Sequence, residues 1–161
     1  MLDATDIKLI EELQEDARQS NRILARKVGV SEGTIRRRIK ELRSRDLVGI
    51  TAVPNYRNLG FEFICIMGLE VELDELEEAG KKLANCPNVY YLSTVTGHYD
   101  LIAILLFHKA NDLNDFVRET ISTMPGVLRT ETFVSMNIVK SPWQQAPGVA
   151  DLLKSKSRVW G

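Results

Sequence analysis

The sequence predicts an α+β chain built in two parts, and three observations carry that reading. Two short amphipathic helices meet at Gly29 amid a concentration of positive charge. Residues 51–60, with Pro54, Asn55, Asn58 and Gly60, interrupt the periodicity. From residue 61 to 140 a strand–helix–strand pattern occurs twice in tandem. Together these predict a winged helix-turn-helix head over 1–50, a linker over 51–60 and a βαββαβ ferredoxin-like sandwich over 61–140. Residues 141–161, with Pro142, Trp143, Pro147 and Trp160, read as a tail, either disordered or an arm on a neighbouring subunit.

The first helix is expected from residue 3 to about 17. Asp3 is placed to cap it, and Asp6 completes a capping-box-like pair. Ile7, Ile10 and Leu13 recur at helical spacing and Ala17 extends the stripe, while Glu11, Glu12 and Glu15 form an acidic outer face. Ser20 can cap a second helix with Ile23 and Leu24 inward. Ala25 lets the helices cross closely, and Gly29 can take the positive φ that ends the second one. Ser31 caps the third, with Glu32 in its first turn favoured by the helix dipole. There Ile35, Ile39 and Leu42 share one face. Arg37, Lys40 and Ser44 point away from it, with Gly33, Thr34 and Arg36 beside them. An apolar back and a basic front behind a glycine turn is the layout of a recognition helix.

The plain alternative is a helical hairpin with a solvated basic face, and charge separates the two. Residues 17–45 hold ten Lys/Arg and two Glu, a net of +8, in a chain whose formal charge is −1. A solvated face mixes signs, whereas phosphate binding needs one sign in one place. Ser31, Gly33, Thr34, Arg36, Arg37, Arg38, Lys40 and Ser44 are therefore expected at double-stranded DNA. Residues 47–53 are β-branched and lead into Pro54-Asn55, which predicts short strands forming a wing.

In the second part, 61–73 reads as a strand and 74–85 as a helix with an acidic start. Cys86-Pro87-Asn88-Val89 then breaks into a strand over 90–96. A strand over 100–108, a helix over 110–123 and a strand over 128–140 repeat the unit, with Met124-Pro125-Gly126-Val127 as the second break. Two helices on one face of a four-stranded antiparallel sheet leave the other face uncovered. On the first strand Phe61, Phe63, Cys65, Met67 and Leu69 share one face, and Ile64 and Ile66 the other. A sheet apolar on both faces predicts a homodimer paired through the uncovered face, with Met67 expected there.

With 161 residues and 44% hydrophobic content, the chain can bury a core. The longest uninterrupted apolar run, Leu101–Phe107, is too short to span a bilayer. Asp3 and Asp6 stand where a signal peptide would be basic, so a cytoplasmic protein with no membrane partner is expected. Cys65 and Cys86 lack metal-ligand spacing and read as buried thiols; His98 and His108 are isolated, so neither metal nor cofactor is expected. No nucleophile stands with a base, no carboxylates pair, and no glycine loop cradles phosphate, so catalysis is not expected.

Between the second and third strands lies Thr94-Val95-Thr96-Gly97-His98-Tyr99-Asp100. Gly97 permits a tight turn and close backbone approach to a ligand, and Asp100 offers a carboxylate to an ammonium group. The same residues also suit a β-hairpin turn with a capping aspartate.

The chain resembles the Lrp/AsnC (leucine-responsive/asparagine regulator) family of transcription factors over about residues 2–140. The likeness rests on Leu2-Asp3 followed by Asp6, and on Ala17-Arg18-Gln19-Ser20-Asn21, where the family usually has a glycine first. It continues through Val30-Ser31 with Arg37-Arg38-Ile39, Leu59-Gly60, Gly97-His98-Tyr99-Asp100, Met124-Pro125-Gly126-Val127 and Val139-Lys140. The resemblance implies a DNA-binding head and a ligand-sensing C-terminal domain. It implies dimers paired through their sheets, often assembled into octamers, with a small effector, commonly an amino acid, bound between dimers. Thr94, Thr96, Gly97, His98, Tyr99 and Asp100 are then the effector-site candidates. Asp100 would take the ammonium, the N–H groups around Gly97 and His98 the carboxylate, and Tyr99 would wall the side chain. Two functions fit: an effector-responsive, sequence-specific regulator, and an effector-independent architectural protein that wraps or compacts DNA.

Overall fold

Each helix of the head starts on a side-chain cap that the sequence supplies. The computed structural model describes residues 2–139, and its first three elements are α1 (Ala4–Glu15), α2 (Asn21–Val28) and α3 (Glu32–Ser44). Asp3 accepts the Asp6 N–H at 2.8 Å while Asp6 accepts the Asp3 N–H at 3.2 Å, a reciprocal capping box. Ser20 caps α2 and Ser31 caps α3 through the N–H groups of Ile23 and Thr34. Gly29 ends α2 at φ 89°, a value that costs glycine nothing. Leu9, Ile10, Leu13, Leu24, Ala25, Ile35 and Leu42 close over one another as the core of this unit, which runs to Val53.

The head departs from the sequence expectation in three places. Helix α1 stops at Glu15, because the Asp16 carboxylate accepts the Arg18 N–H at 2.9 Å and so favours a turn. The Glu12 carbonyl accepts the Asp16 N–H at 3.1 Å and the Gln19 side-chain amide at 2.9 Å, and Ala17 is left exposed. In α2 the core takes Leu24 and Ala25 and leaves Ile23 43% exposed. Residues 47–53 form no strand. Val48 packs on the core, but β-branched residues make a strand only against a ladder partner, and among the described residues the head offers none.

The second unit, Pro54–Ile138, is the βαββαβ sandwich. Its elements are β1 (Phe63–Val71), α4 (Leu76–Ala84), β2 (Val89–Thr94), β3 (Leu101–Phe107), α5 (Ala110–Phe116) and β4 (Val127–Val134). The residues after α5 continue as one π-helical turn, Val117–Ile121, so the expected single helix changes hydrogen-bond pattern partway. The strands pair antiparallel in the order β2-β3-β1-β4. Strand β4 ends earlier than expected, at Val134 opposite Cys65. Beyond it β1 is running out, and one bond remains, from the Ser135 N–H to the Ile64 carbonyl. Lys140 and the 141–161 tail lie outside the described residues.

Cys65, Met67, Leu69 and Val71 of β1 and Leu101, Ala103, Leu105 and Phe107 of β3 bury against Ala79, Leu83, Phe116 and Ile121. Met67 is thus fully buried beneath the helices and does not stand on the uncovered face, which corrects its expected place. The alternation still holds, with the two sets exchanged. Ile64, Ile66, Gly68 and Glu70 face the open side, where Ile66 lies between Ile104 and Phe133. Ile66 (43% exposed), Phe133 (51%) and Tyr91 (51%) keep that face apolar. Cys65 and Cys86 are free thiols, both pushed up in pKa by burial.

The two faces predict different costs. Met67→Ala leaves a cavity and is expected to lose about 2–5 kcal/mol of stability. Ile66→Ser, at a solvent-facing position of the single chain, is expected to stay within roughly 1 kcal/mol. Urea unfolding at low protein concentration measures both.

Candidate functional site

The third helix presents two different basic surfaces. Gly33, Arg36, Arg37, Lys40 and Ser44 follow one another at i, i+3, i+4, i+7 and i+11, all exposed, opposite buried Ile35 and Leu42. Arg36 and Lys40 have no ion-pair or hydrogen-bond partner among the described residues. Arg37 reaches Glu41 at 2.7 Å on the open surface, a pair worth little and free to exchange for a phosphate. Ser31 shares a 2.9 Å hydrogen bond with the Thr34 hydroxyl, so these two line the first turn.

Arg38 departs from the expectation. Its NH1 donates to Asp6 at 2.6 Å and to Asp3 at 2.7 Å, and its side chain is only 19% exposed. The guanidinium is spent on tying α3 to the start of α1 and is withdrawn from the basic front. Its own proton affinity is raised, chiefly by Asp6 and then by Asp3. Asp3 in turn is held below the ordinary carboxylate range, first by the Asp6 N–H and then by Arg38. Lys27, at the surface, is engaged by Glu12 at 2.6 Å and Glu15 at 3.5 Å. No spacing rule reaches from Asp3 to Arg38, so this contact has no local signature.

In the second unit, the loop 97–100 folds against the end of β1. Gly97 takes φ 129°. The Asp100 N–H donates to the Leu69 carbonyl at 2.9 Å, and its carboxylate Oδ2 accepts the Val71 N–H at 2.9 Å. Asp100 therefore caps the strand end. Neither the Gly97 nor the His98 N–H makes a backbone hydrogen bond among the described residues. His98 Nε2 lies 3.3 Å from Glu70 Oε1, and Arg129 lies 4.0 Å from the same oxygen, neither aligned as a hydrogen bond. Thr94 closes β2 and Thr96 is exposed in the turn.

Tyr99 does not stand beside the loop as a wall. Its ring lies on the open sheet face over Gly68, and its hydroxyl donates to Glu131 of β4. That bond, and after it burial, raises the phenol above its ordinary pKa. Gly68, Glu70, Arg129 and Glu131 thus join the loop, and sequence reasoning missed all four. The signal available was a glycine and charged residues interrupting an otherwise apolar strand face. Among the described residues no group of His, Cys, Asp and Glu could hold a metal ion. No described helix is long and apolar enough to cross a membrane.

Comparison with known proteins gives this geometry its context. An AsnC-type helix-turn-helix domain matches residues 2–43, and an Lrp/AsnC ligand binding domain matches 64–143. A helix-turn-helix-type transcriptional regulator of Pyrococcus furiosus is 36% identical over 147 residues, covering 91% of this chain and 99% of that protein. The helix-turn-helix-type regulator Ptr1 of Methanocaldococcus jannaschii is 36% identical over 79% of this chain and 86% of its own length. A transcriptional regulator of Neisseria meningitidis, solved as a complex with L-Met, superposes with a TM-score of 0.82 at 24% identity, over 88% of this chain and 94% of that one. A helix-turn-helix head joined to a ligand-binding sandwich defines a DNA-binding transcriptional regulator, a class distinct from enzymes. The chain belongs to the Lrp/AsnC family.

The Arg38 contact carries a prediction about pH. Asp3 has a lower pKa folded than unfolded, so it stabilises the head above the ordinary carboxylate value, and that contribution is lost as pH falls through the lowered value. Arg38→Ala is expected to lower the melting temperature more than Arg36→Ala and to flatten this acid-side loss. Calorimetry between neutral and acidic pH reads both effects.

Proposed function

We propose that the chain binds double-stranded DNA through the Gly33, Arg36, Arg37, Lys40 and Ser44 stripe, with Ser31 and Thr34 at its leading edge. The observation that carries this is the stripe itself: Arg36 and Lys40 outward without a partner among the described residues, and Arg37 held only by an exposed pair with Glu41, behind a capped helix start that can also face a phosphate. Arg38 stands outside the interface and holds the helix in place. Two copies pair through their open sheet faces around Ile66, Ile104 and Phe133, and dimers assemble further, to octamers as the family resemblance implies.

A small amino-acid-like effector is read by residues 94–100 between dimers. The unbonded N–H groups of Gly97 and His98 suit its carboxylate. The Asp100 oxygen not engaged with Val71 suits its ammonium. The Neisseria relative bound to L-Met shares the fold with this chain and supports an amino acid as the class to screen. Occupancy at such a shared site favours one assembly state and repositions the DNA-binding heads.

Fluorescence anisotropy with promoter duplexes, combined with a thermal-shift screen of the twenty amino acids, tests the whole reading. Arg36→Ala is expected to weaken binding by roughly 1–3 kcal/mol at a base contact, or about equally for all sequences at a phosphate contact. At least one amino acid should raise the melting temperature by mass action, and Asp100→Ala should abolish that shift while sparing ligand-free DNA binding. Full DNA affinity with no response to any amino acid would favour the architectural alternative.

A further inference from the structure

Gly68 sits in the middle of β1, where an unbroken apolar strand would carry a side chain on the open face. A Cβ built there would lie 2.7 Å from Tyr99 Cγ and Cδ2 and 2.8 Å from Cδ1. The nearest atoms include the root of the ring, so no rotation about its own axis would clear the contact. Gly68 is therefore a seat cut to the Tyr99 ring. The ring is held on that seat from two further sides. Its hydroxyl donates to Glu131, which pairs with Gly68 across the β1–β4 ladder. The His98 ring meets it edge-on, with centroids 5.0 Å apart. Tyr99 belongs to the 97–100 loop by sequence and to the open sheet face by packing.

We propose that Tyr99 is the positioning residue that couples the ligand loop to the pairing face, through its seat on Gly68 and its hydrogen bond to Glu131. This rests on the reading of residues 94–100 as the effector site and of the open face as the dimer surface. A ligand that moves the loop moves the ring, and the ring is part of the floor on which the second copy lands. By linkage, pairing must act back on the loop through the same group. Asp100, fixed to the β1 backbone on both its N–H and its carboxylate, serves as the pivot of that movement.

The test uses the full chain and needs no identified ligand. Amide hydrogen exchange at residues 95–100 reports the loop, and sedimentation equilibrium reports self-association. Gly68→Ala adds one methyl beneath the ring and is expected to speed exchange at 97–100 by about tenfold and to weaken self-association in the same variant. Glu131→Gln, which keeps an acceptor for the hydroxyl, should stay near wild type in both readouts; Glu131→Leu and Tyr99→Phe should shift both. In a Tyr99→Ala background the Gly68 methyl should have no further effect on the loop, since the group it displaces is gone. A paired chain whose loop exchange ignores Gly68→Ala and Tyr99→Phe would overturn the coupling and leave the function above intact. A wild-type chain that sediments as a monomer would remove the pairing reading, and the coupling with it.

Discussion

The orientation of the recognition helix depends on one guanidinium. Arg38 places NH1 between Asp3 and Asp6, and those carboxylates already cap the first helix. A single cluster therefore starts α1 and anchors α3 to it. Three arginines stand in a row at 36, 37 and 38. Binding the third from behind turns the first two outward. The stripe at 33, 36, 37, 40 and 44 is the geometric complement of that anchor and of the Ile35–Leu42 back face. Charge that the composition shows as a uniform basic block is thereby sorted into structural and exposed members. Lys27 has Glu12 and Glu15 beside it on α1, so part of its charge is already met within the head.

The sandwich follows a second constraint, that helices cover only one face of its sheet. Both residue sets along β1 are apolar, so the chain makes two hydrophobic surfaces and buries one within itself. The other, around Ile66 and Phe133, stays open on the single chain and is the face through which the proposed pairing would run. Tyr99 extends that surface with a residue borrowed from the loop. A sensing domain of this form can link small-molecule occupancy to assembly without a separate relay element.

Local features were the legible ones. Asp3, Ser20, Ser31 and Gly29 act within three or four residues of themselves, and each does what its type and position suggest. The tandem repeat likewise declared the sandwich, because periodicity survives small errors at strand ends. What stayed hidden was long-range. Alternation separates Met67 from Ile66 but cannot say which set meets the helices when both are apolar. Glu70, on the Ile66 side, was the available hint. Residues 47–53 look like a strand by composition, and a strand exists only with a partner. Neighbourhood in sequence groups Arg38 with Arg36 and Arg37, and Tyr99 with Gly97 and His98, while their partners lie 32 and 35 residues away for Arg38 and 32 away for Tyr99.

The division of the basic residues is the claim on which the functional account turns, and the salt dependence of DNA binding tests it most directly. Each phosphate contact contributes about 0.9 to the slope of log affinity against log salt on duplex DNA. For the full chain, Lys40→Gln should make the slope shallower by roughly one contact. Arg38→Gln, measured where the variant is still folded, should leave the slope unchanged. An Arg38→Gln slope reduced as much as that of Lys40→Gln would place Arg38 on the phosphates and contradict the account.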